Sequence, residues 1–150
     1  SRSADCRVCQ AASCCPLRSC AQASASCDHR SGRRVASASS PLPRRACDSA
    51  PERIAVIATG GISHWPATPD SGKINEEWDR QFLSHFINNR RAELLAYTDE
   101  EIYRDAGQGG FEIRTYIALA GLTEGSTGEL WFYAPIPIFA VGCTIAVMNV

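Results

Sequence analysis

The pattern of apolar side chains divides the chain near residue 44. Residues 1–43 are rich in Ser, Ala, Arg and Cys, with a few aliphatic side chains that follow no period. Such a segment buries too little apolar surface to offset the entropy lost on folding. Residues 44–150 instead contain apolar runs and periodic repeats, which are typical of packed strands and helices. We therefore expect a disordered arm over 1–43 and a folded domain over 44–150.

The stretch IAVIATGGISHWP, from Ile54 to Pro66, contains the first of these elements. Its apolar, β-branched start predicts a parallel strand buried on both faces. Gly60 and Gly61 follow and permit a sharp turn, which places His64 just past the carboxyl end of the strand. Ligands bind at that edge of open α/β sheets.

Three helical regions are predicted in the middle of the chain. Residues 74–88 form an amphipathic pattern with an apolar residue every fourth position, and Asn75 is placed to cap it. Residues 90–103 give a second region, in which Thr98 opens an N-terminal signature. Residues 111–122 give a third. The side chains expected to point inward in this third helix are Ile113, Tyr116, Ile117 and Ala120.

The end of the chain reads as two strands. Residues 125–128 predict a turn and residues 129–133 a strand. The prolines at 135 and 137 should interrupt this strand, which suggests a sheet edge or an irregular crossing near a site. Residues 139–150 are apolar enough for a last buried strand. Helices and strands that alternate in this way predict the α/β class.

Charge and hydropathy narrow the possible partners. Residues 1–50 carry eight arginines and three aspartates, whereas residues 51–150 carry seven basic and thirteen acidic side chains. The basic arm has no lysine and no aromatic side chain for base stacking, so we expect no nucleic-acid partner. No apolar run approaches the about 20 residues that span a bilayer, and the start lacks the apolar core of a secretory signal. We expect a soluble, cytoplasmic protein with no membrane partner.

Seven of the eight cysteines lie in the first 47 residues. Their odd number, and the lack of a second well-spaced pair after Cys6 and Cys9, disfavour both a disulfide framework and a structural zinc site. A cysteine-rich metal-binding arm in front of a structural domain is the weakest of the interpretations that we consider.

Four segments in order resemble one enzyme family. They are IAVIATGGISHWP, SGKINEEWDRQFL, YRDAGQGGFEIRTYIALAG and PIPIFAVGC. From about Arg44 onward the chain resembles the C-terminal part of the class III extradiol ring-cleavage dioxygenases, a family that includes the β subunit of protocatechuate 4,5-dioxygenase and gallate dioxygenase. The resemblance implies part of an α/β/α sandwich. It also implies an enzyme that opens the ring of a catechol-type aromatic acid, protocatechuate or gallate, with O2. It also implies assembly into homo- or hetero-oligomers with other dioxygenase subunits.

The resemblance also implies a site. Members bind Fe(2+) with two histidines and one carboxylate, and the position in GQGGFEIR makes Glu112 that carboxylate. The alternative role for Glu112 is to cap its helix. The histidine of the GGxSH motif, here His64, is implied as the catalytic acid/base beside the substrate. Its alternative is a loop histidine bonded only to backbone. Ser63 and Trp65 flank it as substrate-binding residues.

Four further side chains are predicted to support the structure and not to take part in the chemistry. Asn75, Trp78 and Asp79 are expected to stabilise the wall beneath His64, and His85 is expected to be a surface or packing histidine.

One departure from the family limits the functional prediction. Its iron-binding histidines come from an N-terminal half that has no counterpart here, and no ligand role is carried onto His29. We expect a dioxygenase fragment that is inactive by itself. The alternative is a catalytically inactive remnant or interaction module that pairs with a separate chain. Because family-like sequence begins abruptly near Arg44, residues 1–43 could be a wrong-frame translation. Peptide mapping that recovers this segment from native protein would count against that hypothesis.

Overall fold

The computed structural model describes residues 7–10, 49, 51 and 54–149. Strand β1 (Arg7–Gln10) pairs in parallel with strand β2 (Ile54–Ile57). A strand therefore lies within segment 1–43, for which we expected no fold. The rest of that segment lies outside the described residues. The hypotheses about its reading frame and its cysteine side chains concern those residues, so they stay predictions.

The predicted strand β2 is present, but its predicted burial on both faces is wrong. Its residues alternate between half-buried and exposed, and the Ile57 side chain is 44% exposed. Among the described strands β2 pairs only with β1, so it lies in a two-stranded sheet. A parallel strand is buried on both faces only where helices cover both faces of its sheet. The alternating exposure of β2 shows that this two-stranded sheet is not covered in that way.

Helix α1 (Glu76–Ile87) follows the predicted period. Asn75 caps it, since its side-chain oxygen accepts the backbone N–H of Trp78 at 3.3 Å. The second predicted region is divided into helices α2 (Arg91–Ala96) and α3 (Asp99–Ala106). The division occurs at Tyr97, whose ψ of 120° ends the first of the two. Periodicity alone did not predict this break.

The third predicted helix begins with a different geometry. A 3-10 turn over Gly109–Glu112 leads directly into helix α4 (Ile113–Leu122). The side chains predicted to point inward are buried: Ile113, Tyr116, Ile117 and Ala120. The inward face was therefore predicted correctly, because a 3.6-residue period determines it.

Thr98 forms a capping box at the start of α3. Its hydroxyl accepts the backbone N–H of Glu101, and the Glu101 carboxylate accepts the backbone N–H of Thr98 at 2.8 Å. We expect Thr98→Ala to lower the free energy of unfolding by about 1 kcal/mol, the usual cost of losing an N-cap side chain. Urea denaturation measures this change. Thr127→Ala, at an exposed threonine in the turn before the last two strands, is the matched control and should change stability by less than about 0.5 kcal/mol.

Strands β3 (Gly128–Ile136) and β4 (Val141–Met148) form an antiparallel hairpin. The prolines do not interrupt β3, because Pro135 lies inside the strand opposite Gly142. The edge position that they suggested fits the structure, since among the described strands β3 pairs only with β4. Proline is tolerated in a strand whose outer edge has no partner, since no N–H is needed there. Strand β4 is also less buried than predicted, and its Ile145 side chain is 57% exposed.

The core lies between α1 and α4 and is built around aromatic rings. Phe82 stacks on Trp78 and Phe86, with ring centroids 5.8 and 6.5 Å apart, and meets Tyr116 edge-on. Around these rings pack apolar side chains that are at most 2% exposed: Ile62, Leu83, Leu94, Ile102, Ile113 and Ile117. Together with the two sheets, these helices make a mixed α/β structure.

Some large apolar side chains remain outside this core. The hairpin exposes Trp131, Ile138, Phe139 and Ile145. In the part of the chain that the structure describes, no helix combines the length and apolarity that a membrane span requires.

Candidate active site

The loop after β2 is held by backbone hydrogen bonds on two sides. Toward β4, the Ile62 N–H donates to the Gly142 carbonyl at 3.1 Å, and the Gly142 N–H donates to the Ser63 carbonyl at 3.2 Å. Toward α3, the His64 N–H donates to the Ala106 carbonyl at 2.9 Å. The backbone at His64 is therefore fixed by elements that lie far away in the sequence.

The His64 ring has a defined orientation and tautomer. Its Nδ1 lies 3.1 Å from the Ile62 carbonyl oxygen. A carbonyl oxygen only accepts hydrogen bonds, so Nδ1 carries the hydrogen and Nε2 of the neutral ring carries the lone pair. Nε2 faces the Glu112 Oε1 at 3.9 Å, beyond hydrogen-bond distance. The side chain as a whole is 14% exposed.

Glycines allow this close approach. A Cβ on Gly109 would overlap the His64 imidazole, and a Cβ on Gly107 would overlap the His64 carbonyl oxygen and lie 2.7 Å from the Trp65 ring. Gly107 also has a φ of +78°, in the left-handed region that favours glycine. The glycine-rich segment of the sequence is thus the surface on which the histidine lies.

Glu112 lies beside His64, so the structure brings the two main candidates together. Its Oε2 accepts the Gly61 N–H at 2.6 Å, and half of the side chain is exposed. The side chain makes no capping hydrogen bond to α4. The Glu112 side chain therefore does not cap the helix through a hydrogen bond. Its Oε1 is directed at His64 Nε2.

Ser63 and Trp65 point into the protein. Ser63 is fully buried, its Oγ accepts the Asn75 N–H at 2.8 Å, and its own N–H donates to Asp79 Oδ1 at 2.9 Å. Trp65 is 6% exposed and has Lys73 Nζ 4.7 Å above its ring. Their predicted contact with substrate stays a prediction.

Asp79 was predicted only to stabilise the wall beneath His64, but its carboxylate connects the His64 loop to the hairpin. It is fully buried, and its Oδ2 accepts the Tyr133 hydroxyl at 2.7 Å. Burial raises the pKa of the Asp79 carboxyl, while hydrogen bonds from Tyr133 and Ser63 oppose that rise. Burial, reinforced by the bond to Asp79, also raises the pKa of Tyr133, so its hydroxyl remains a donor.

Sequence reasoning missed two tyrosines. Tyr133 comes from β3, and Tyr116 of α4 donates its hydroxyl to the Gly60 carbonyl at 2.7 Å. Burial, with the nearby Glu112 charge, raises the pKa of Tyr116 to about 12. The sequence offered only a weak signal for these two contacts. A tyrosine in an apolar pattern has a hydroxyl that needs a hydrogen-bond partner when the ring is buried, but the pattern does not say which partner.

The chemistry of the described side chains can be compared with what a metal ion requires. The exposed Glu112 carboxylate suits a hard divalent cation. Across the described ranges, however, no group of three or more His, Cys, Asp or Glu side chains is placed to hold a metal. His85 lies elsewhere, with its Nδ1 3.1 Å from the Tyr97 hydroxyl. These residues fit one position of a three-donor site and do not complete it.

Comparison with known families decides the relationship. A model of the catalytic LigB subunit of aromatic ring-opening dioxygenase matches residues 23–144. The chain belongs to this family. The LigB match covers the His64 loop, Glu112 and most of the hairpin, and it begins inside segment 1–43.

Curated relatives of this LigB-family chain are dioxygenases by name. A gallate dioxygenase from Pseudomonas putida is 38% identical over 80 residues, which are 52% of this chain and 23% of that enzyme. A 2,3-dihydroxyphenylpropionate/2,3-dihydroxicinnamic acid 1,2-dioxygenase from Paraburkholderia xenovorans is 27% identical over 132 residues, 57% of this chain and 42% of that enzyme. The enzyme of the same name from Azotobacter vinelandii is 30% identical over 68% of this chain and 32% of its own length. The chain thus spans less than half of each relative.

Proposed function

We propose that this chain is the part of a class III extradiol dioxygenase that supplies the acid/base histidine, His64, and one metal-binding carboxylate, Glu112. The observation that carries the proposal is the geometry of the pair. The lone pair on His64 Nε2 faces the Glu112 Oε1 at 3.9 Å, in two segments that the LigB match includes. The resemblance and the names of the relatives support the reaction class.

The cofactor that we propose is Fe(2+), with Glu112 as one of its three protein ligands and two histidines from outside the described residues. When bound, such an ion supplies open positions for a catecholate and for O2. The contribution of this chain is then proton transfer. His64 Nε2 takes the proton of a catechol hydroxyl, and the Nδ1 bond to Ile62 stabilises the charged ring that results.

The substrate that we propose is a catechol-type aromatic acid, and gallate and protocatechuate are the first candidates. Ser63 and Trp65 would contribute to substrate binding indirectly, because they fix the backbone on either side of His64. The rest of the family's sheet would complete the α/β/α sandwich beside β2, and other subunits would assemble with it. We propose that the chain is inactive by itself, because it spans less than half of each relative and the resemblance implies that the family's two iron-binding histidines come from another part of those enzymes.

Oxygen uptake tests the proposal. The chain is assayed with Fe(2+) and gallate, protocatechuate or 2,3-dihydroxyphenylpropionate, first alone and then co-expressed with the part of Pseudomonas putida gallate dioxygenase that lies outside the matched region. We expect iron-dependent uptake with at least one substrate in the co-expressed sample and none with the chain alone. If the two parts form a complex that binds iron and takes up no oxygen with any of the three, the enzymatic proposal fails and the interaction-module alternative is favoured.

A further inference from the structure

The peptide group between Ile62 and Ser63 connects a buried carboxylate to His64. Its N–H, which belongs to Ser63, donates to Asp79 Oδ1 at 2.9 Å. Its C=O, which belongs to Ile62, lies 3.1 Å from His64 Nδ1. The N–H and C=O of a trans peptide lie in one rigid plane and point in opposite directions, and none of the described peptide bonds is cis. Asp79 and His64 therefore bind opposite sides of the same planar group.

This arrangement gives Asp79 two ways to act on the ring. The bond to Asp79 fixes the rotation of the peptide plane, so the carbonyl stays directed at Nδ1. A carboxylate that accepts from the N–H also polarises the amide, and hydrogen bonds in such a chain strengthen one another. The carbonyl then becomes a better acceptor for the Nδ1 hydrogen.

The surroundings of Asp79 keep the carboxylate in place. Its second oxygen, Oδ2, accepts the Tyr133 hydroxyl at 2.7 Å. A Cβ on Gly142 would overlap that same oxygen, so the hairpin closes directly over the carboxylate. Asp79 and Ser63 are both fully buried, which excludes competing water from the hydrogen bond between them.

We propose that Asp79 is a positioning residue for His64, acting through the Ile62–Ser63 peptide to keep the hydrogen on Nδ1 and the lone pair on Nε2. The proposal rests on the acid/base role proposed for His64. Its test does not, because the state of the ring is measured without turnover, so either proposal can fail alone.

The test uses the 150-residue chain with 15N-labelled histidine. Ring 15N shifts distinguish a protonated from an unprotonated ring nitrogen, and His64→Gln assigns the His64 signals among those of three histidines. Spectra are recorded at about pH 9, where a free imidazole is neutral. Asp79→Asn keeps the side-chain size and an oxygen that accepts the Ser63 N–H, but removes the charge. The ratio of the Nδ1–H to the Nε2–H tautomer should fall by up to about fivefold, the factor that separates a charge-assisted from a neutral hydrogen bond.

Tyr133→Phe is a second test of the proposal, and Tyr97→Phe is its matched control. Tyr133→Phe removes the hydroxyl that holds Asp79, and should change the His64 signals while leaving those of His85 unaltered. Tyr97→Phe removes the hydroxyl next to His85 Nδ1 and should do the reverse. A folded Asp79→Asn chain, as judged by circular dichroism, that keeps the wild-type His64 ratio would overturn the proposal. If Asp79→Asn does not fold, Tyr133→Phe decides by the same criterion.

Discussion

Replacing His64 by glutamine should lower kcat for ring cleavage by about 10²–10⁴-fold and leave metal binding intact. The reason is that glutamine keeps a polar side chain of similar reach but offers no basic nitrogen like Nε2, which faces the Glu112 carboxylate. The measurement is oxygen uptake by the co-expressed enzyme, with bound iron determined by a chromogenic chelator. His85→Gln is the control, because His85 contacts Tyr97 and lies outside the proposed site. Unchanged kcat in His64→Gln would exclude the acid/base role.

Glu112→Gln, unlike His64→Gln, should weaken the binding of iron. The amide keeps an oxygen for the Gly61 N–H but loses the negative charge that a hard cation requires. Iron affinity should fall by more than the roughly 10–100-fold that follows loss of an outer-shell partner. Glu93→Gln, at an exposed glutamate of α2, provides the same chemical change away from the site. If Glu112→Gln binds iron as well as the unmodified enzyme does, Glu112 is not a ligand.

Phe82→Ala should lower the free energy of unfolding by about 3–5 kcal/mol, which is a large part of the stability of a typical domain. The Phe82 side chain is fully buried and contacts the rings of Trp78, Phe86 and Tyr116. Its removal leaves a cavity that rigid aromatic neighbours cannot fill. Because Tyr116 also holds the Gly60 carbonyl, the loop after β2 should loosen as well.

Urea denaturation followed by circular dichroism measures the loss in Phe82→Ala. The matched control is Phe139→Ala, since Phe139 is 71% exposed at the end of the hairpin. This control should change the free energy of unfolding by less than about 0.5 kcal/mol. Equal effects of the two substitutions would show that the aromatic cluster is not the packed core.

Features that depend on near neighbours were predictable from the sequence. The period of α1, its cap at Asn75 and the N-terminal signature at Thr98 were confirmed by the structure. Helix periods and caps involve residues within four positions of each other, so a sequence window contains all of their information. The break at Tyr97 and the passage of β3 through Pro135 were not predicted, because they depend on packing and on which strand edge is left unpaired.

The candidate site follows the same division. His64 and Glu112 were predicted from two glycine-containing segments and the family that these resemble. The tautomer of His64, by contrast, depends on the Ile62 carbonyl, and the orientation of that carbonyl depends on Asp79. The Tyr133 hydroxyl reaches Asp79 from 54 positions away. No local pattern records a contact of that kind.

By itself the sequence determined the family, the helices with their caps, and the two residues on which the proposed chemistry depends. The helix periods and caps follow from residue type and short spacing, which act before the chain is packed, whereas the family and the roles predicted for His64 and Glu112 follow from the resemblance of four segments. Only the tertiary structure decided that Gly61 binds Glu112 from 51 positions away, that His64 presents Nε2 to that carboxylate, and that Asp79 lies behind the connecting peptide. Those relations depend on how helices, loop and hairpin pack in three dimensions, because a hydrogen bond requires atoms to meet within a few tenths of an ångström.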